Sequence, residues 1–158
     1  MLTRILQDAL EGRGSHVSPT NALDGLDWEL AGRRPPGSPH SIWEILQHMI
    51  FWQDFFLAWM RGERPAVPAT AAASWPDRTA PEGAAEWEGA VARFQKGLAE
   101  AMAEAEKDLE ATIPGSPGHS RADALVQLIG HNSYHLGQIV LLRRQLGAWP
   151  PPGGGDTW

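Results

Sequence analysis

The stretch Ser41-Ile-Trp-Glu-Ile-Leu-Gln-His-Met-Ile-Phe-Trp-Gln-Asp-Phe-Phe-Leu-Ala-Trp-Met-Arg61, closed by Gly62, decides the fold class. Ser41 and Glu44 stand three apart. Each side chain can satisfy an amide that the start of a helix leaves bare. Gly62 suits the position just past a helix end. Between these marks the apolar residues fall nearly all round the helix, from Ile45 and Met49 to Phe55, Phe56 and Trp59. A helix of that kind is covered on more than one side. One polar residue interrupts its middle: His48.

Working outward, the same signals recur. Ser120-Arg-Ala-Asp123 is a second capping box, and it opens a helix that ends before Gly147. Its core side is Leu125, Leu128, Ile139, Leu142 and Leu146. From about Pro81 to Glu110, Trp87, Val91, Phe94, Leu98, Met102, Ala105 and Leu109 recur at three- and four-residue steps. Glu100, Glu104, Lys107 and Glu110 take the opposite face. The first thirty residues predict a helix over Leu2 to Glu11. A break at Gly12 and Gly14 follows, then a second piece from Ser18-Pro19 to about Ala31. Pro/Gly-rich stretches separate these segments, and no hairpin signal appears. The expectation is an all-α four-helix bundle. Gly62 to Pro81 is long enough to cross over between parallel neighbours.

Composition narrows function. Residues 1–158 read as a single domain with a Pro/Gly-rich tail over 148–158, and the formal net charge is −6. Excess acid argues against a nucleic-acid partner. Arg33-Arg34 and Arg143-Arg144 read as solvated surface. No stretch reaches the roughly 18 apolar residues of a membrane span, and the N-terminus lacks a signal-peptide pattern. The expected location is the cytoplasm. The chain has no Cys. A metal would therefore sit on His, Asp, Glu or backbone oxygen, and a thiolate nucleophile would have to arrive from outside.

His131 and His135 are four apart on the last helix, so their rings stack on one face. That face also carries Ala124, Leu128 and Leu142, and it points into the bundle. Buried neutral imidazoles need partners, and one shared cation meets the need of His48, His131 and His135 together. The run His131-Asn-Ser-Tyr-His135 is not a zincin helix, because Glu does not follow the first His. Glu44, one turn before His48, and Gln138, three after His135, are candidates to accept a ring N–H or handle a proton. Glu44 is also explained by its cap. Trp43, Trp52 and Tyr134 are candidates to line a pocket, although aromatics at helical spacing also read as core. Gly130 and Gly137 suggest close helix packing beside the ligands. His16, His40 and His119 read as surface or capping residues.

Two stretches, Ser41-Ile-Trp-Glu-Ile-Leu-Gln-His48 and His131-Asn-Ser-Tyr-His-Leu-Gly-Gln-Ile139, resemble the DinB/YfiT-like family over nearly the whole chain. That family's pattern is one His on the second helix and a His-x-x-x-His-x-Gly-Gln run on the fourth. The resemblance implies an up-up-down-down bundle with His48, His131 and His135 around a divalent ion, often in a homodimer. Some relatives join a low-molecular-weight thiol such as bacillithiol or mycothiol to an electrophile, or isomerise maleylpyruvate with it. Three imidazoles suit Zn, Ni or Fe, with Zn or Ni expected first. Such an ion keeps its charge and open positions. The expected function is transfer of a low-molecular-weight thiol cosubstrate to an electrophilic small molecule. The alternatives are a hydrolase using hydroxide held on the ion and a non-catalytic, metal-stabilised dimeric binding bundle. A dimer is also expected from the apolar second helix and from Trp149 and Trp158.

Overall fold

The computed structural model describes residues 1–154, and among them the fold is all-helical. The helices are α1 (Leu2–Leu10), α2 (Pro19–Leu23), α3 (Trp28–Ala31), α4 (Ile42–Met60), α5 (Ala84–Glu104) and α6 (Arg121–Gln145). One 3-10 turn, Ala71–Ser74, lies in the long connection between α4 and α5. An isolated bridge between Thr112 and Ser120 is the nearest approach to a strand among the described residues. None of their helices is long and apolar enough to cross a membrane.

Both expected capping boxes form. Ser41 Oγ accepts from Glu44 N while Glu44 accepts from Ser41 N, and Ser120 and Asp123 repeat the exchange. The first segment differs from expectation. Residues 18–31 make two short helices rather than one, because Gly25 takes φ 71°. Asp27 then starts α3 by accepting from Leu30 N at 2.7 Å. Asp24-Gly25 is a turn signal that outweighs the spacing of Leu23, Leu26 and Leu30. The third predicted helix is also shorter, starting at Ala84 and ending at Glu104.

Contacts fix the helix directions. Trp59 Nε1 donates to Ser116 Oγ at 2.7 Å, just before α6, whereas His48 meets His131 further into α6. Thus α4 and α6 run antiparallel. Gln53 Nε2 donates to Phe94 O at 3.0 Å, and Arg61 bonds Glu100 further along. Thus α4 and α5 run parallel, and residues 61–83 cross between them.

Two charged side chains are buried against expectation. Glu104 is 3 % exposed and bridges Lys107 and Arg121, at 2.6 and 3.0 Å. Burial alone would raise its carboxyl, but those two cations hold it below the usual range. Arg143 is 1 % exposed rather than solvated. Its guanidinium donates to Ala148 O at 2.9 Å and Ala22 O at 2.8 Å, satisfying carbonyls near the ends of α6 and α2. The tail does fold back: Gly153 N donates to Asp24 at 2.9 Å. Trp158 lies outside the described residues.

The apolar core divides in two along α4. One cluster contains Ile42 to Ile50, with Phe94, Leu136 and Ile139. The other contains Phe56 to Met60, with Leu98, Leu125 and Leu128. Between them lies a buried polar level with Gln53 and Asn132. Gly97 makes room for Gln53: a Cβ there would come within 2.1 Å of its Nε2. Gly97→Ala should therefore lower stability by about 1–3 kcal/mol, as overpacking does. Gly89→Ala, on the exposed side of α5 with open space around it, should raise stability by about 0.5–1 kcal/mol through helix propensity. Urea unfolding of the two variants checks both signs.

Candidate metal centre

α4 and α6 each carry one stripe into their shared interface. His48 begins the α4 stripe, and His131 and His135 lie one turn apart on α6. Among the described residues these three side chains form one cluster, with one nitrogen from each within 4.8 Å of the others. The Nε2 atoms of His48 and His131 are 3.2 Å apart. A tetrahedral ion with bonds of 2.0–2.1 Å would hold two ligand nitrogens about 3.3 Å apart. One pair already has that spacing, and the third ligand nitrogen lies within 4.8 Å of both.

The outer side of the cluster fixes which nitrogens face inward. His48 Nδ1 lies 3.1 Å from the Ser74 carbonyl, which can only accept. The proton therefore sits on Nδ1, leaving Nε2 bare. His135 Nδ1 donates to Gln138 Oε1 at 2.6 Å, which leaves its Nε2 bare as well. His131 Nδ1 is buried without a hydrogen-bond partner among the described residues. Bare nitrogens facing one another repel unless a proton or cation lies between them. The donor set is three imidazoles with no sulfur and no carboxylate, which fits a divalent ion of the Zn, Ni or Fe type.

Burial sets the charge state. It pushes His48 down to about 4, against a smaller upward pull from the Ser74 bond. Burial, then the neighbouring His135 and His48, brings His131 to about 4. His135 is lowered chiefly by burial, although its bond to Gln138 pulls the other way. All three are neutral near pH 7, which is the form that ligates.

The crossover supplies parts of the centre that sequence reasoning missed. Ser74 holds His48, and Trp75 stacks on its ring with centroids 4.0 Å apart and planes 7° apart. His40 stacks on Trp75 too, at 3.7 Å, and it is part-exposed beside the cap residue Glu44. Ser74 and Trp75 lie in an Ala/Pro-rich loop with no helical period, so no local pattern marks them.

The remaining candidates divide. Gln138 is placed as expected. Glu44 is not: Arg34 grips it with two bonds, one of 2.8 Å, and Ser41 N holds it at 2.7 Å. Burial raises its carboxyl, but these donors more than reverse the effect. Trp52 flanks the rings, with its centroid 6.2 Å from His131 and 6.4 Å from His48. Trp43 is core, and Tyr134 is 67 % exposed with its ring against His135. Gly130 and Gly137 have open space where a Cβ would go, so no close helix packing explains them. His16 joins Val17 O and Ser133 Oγ, and His119 packs on Trp59.

An all-helical chain with three converging histidines from two antiparallel helices defines a class of candidate metal-binding helical proteins. The family model described as the DinB superfamily matches residues 20–139, and the chain belongs to that superfamily. No curated protein and no solved structure matches it.

Replacing His48, His131 or His135 by Ala should each remove most bound metal, and combining them should cost little more, because they share one partner. Gln138→Ala should weaken ion affinity by about tenfold or more. Elemental analysis and competitive chelation check both. Acid should also destabilise the ion-free protein. His48 and His131 have folded pKa values of about 4, against 6.5 when unfolded. The unfolded chain therefore binds more protons between those values. The stability these groups contribute is full above 6.5 and is lost as pH falls from 6.5 towards 4. Urea midpoints at pH 7 and pH 5 should show the loss, and a triple His→Ala chain should show less of it.

Proposed function

We propose that this chain is a metalloenzyme that transfers a low-molecular-weight thiol to an electrophilic small molecule. His48, His131 and His135 hold the divalent ion on the four-helix, up-up-down-down plan of the superfamily. The observation that carries this reading is the convergence of three neutral imidazoles with no fourth His, Cys, Asp or Glu joining them among the described residues. Three protein ligands and an open position is the plan of a catalytic site rather than a closed structural one. When bound, the ion would acidify a thiol or water and polarise a carbonyl.

The chain's own residues do the rest. Ser74 and Gln138 fix two imidazoles in the inward-facing tautomer, and Trp75 holds the His48 ring in its plane. Arg34 and Ser41 occupy Glu44, so it is no free base beside the rings. With no Cys in the chain, the sulfur comes as a second substrate.

The test is the purified full chain, loaded with Zn²⁺ or Ni²⁺ and screened with a panel of low-molecular-weight thiols against monochlorobimane. Conjugation above the uncatalysed rate should require both metal and one thiol class, and it should vanish in His131→Ala. Ester hydrolysis without any thiol, and no conjugation with any, would replace this reading with a hydrolase.

The active form is proposed to be a homodimer. The outward side of α6 carries Val126, Tyr134 and Leu141, at 58, 67 and 56 % exposure, with Gly130 and Gly137 keeping it low between them. Contiguous apolar surface of this kind marks interfaces. Sedimentation at tens of micromolar, on the order of assay concentrations, should give a dimer, and Leu141→Glu should give a monomer.

A further inference from the structure

The metal stripe does not end at the histidines. On α4 the same helix face continues from His48 through Trp52, Phe55 and Trp59, at steps of three and four residues. On α6 it continues backward from His131 to Gln127. Because α4 and α6 are antiparallel, both continuations run in the same direction. Between them lies an open cleft of about 420 Å³, walled by Trp52, Phe55, Trp59 and Gln127 and bounded by residues 63–65, 67 and 115–116. That volume lies within the range of small-molecule sites. Its inner end is Trp52, the ring against His48 and His131.

The outer end is charged. Arg64 lines it, with the guanidinium against the backbone of Gly115. Arg34, Arg61, Arg78, Arg93 and Arg121 each face a carboxylate. Arg64, like Arg33, forms no ion pair among the described residues, and it lines the cleft beside Glu63 without pairing with it. A cation kept unpaired at the mouth of an aromatic-walled cleft selects an anion attached to an apolar body.

We infer that this cleft binds an organic acid lengthwise: its aromatic or extended apolar body lies along Trp52, Phe55 and Trp59, its carboxylate pairs with Arg64, and its far end meets Trp52, the ring that flanks the histidines. The seven helix steps from Trp52 to Trp59 span about 10 Å, which sets the length of apolar body that lies along the cleft. This assigns the substrate class of the proposed metalloenzyme and rests on that reading for the reactive end alone. The carboxylate end is recognised whether or not an ion is bound.

The experiment is calorimetric titration of the full chain, with and without Zn²⁺, using 4-(biphenyl-4-yl)butanoate, its neutral amide and the corresponding amine. The acid should bind about tenfold tighter than the amide, as a charge-assisted contact warrants, and the amine should bind most weakly. Arg64→Gln should erase the preference for the acid while leaving amide affinity unchanged. Arg64→Lys should keep part of it. Trp59→Leu should weaken acid and amide alike. Equal binding of acid and amide, or an acid preference that survives Arg64→Gln, overturns the inference. So does a preference lost in His131→Ala instead, which would put the carboxylate at the histidines and leave the metal reading standing. Discrimination through Arg64 in a chain that takes up no Zn²⁺ would keep the cleft and remove the metal.

Discussion

A histidine buried in the middle of an apolar helix must have both ring nitrogens accounted for, and the rest of this structure follows from that demand. His48 sits on α4 with 7 % of its surface exposed. Its Nδ1 finds the Ser74 carbonyl, which only a long crossover could deliver from outside the helix pair. Its Nε2 finds α6, where His131 and His135 occupy the facing turn. The polar level continues through the interior with Gln53 and Asn132, and it separates the two apolar clusters. A level of this kind forgoes apolar burial.

The donor chemistry complements that placement. Neutral imidazoles contribute no charge of their own, so an ion among them keeps its full field for whatever occupies its open side. The carboxylate nearest in sequence, Glu44, is withdrawn from the centre by Arg34 and its own helix cap. The groups behind the ligands are a backbone carbonyl and an amide oxygen, which fix tautomers without adding charge. An ion held there would stay electrophilic, with no carboxylate among its protein ligands.

Legibility followed the range of the interaction. Helix caps and periodicity are local, so α4 and α6 could be read from Ser41, Glu44, Ser120, Asp123 and the apolar steps. The three histidines could be read because two share a helix face and the third is anomalous where it stands. Ser74 and Trp75 could not, since their role exists only once the crossover lies over α4. Arg143 and Glu104 misled for the same reason: a charge run or a helix face looks solvated until distant carbonyls or cations close over it. The break at Gly25 was present locally, but the leucine spacing on either side masked it.

The contact between His48 and His131 spans 83 positions of the chain. An ion bridging the two would close a loop of that length, as a covalent link does, and would withdraw freedom from the unfolded chain as well as adding contacts to the folded one. In the chain-entropy description such a loop is worth about 4.5 kcal/mol. The centre would then work as a removable staple between α4 and α6. Metal supply would then govern how long the fold survives.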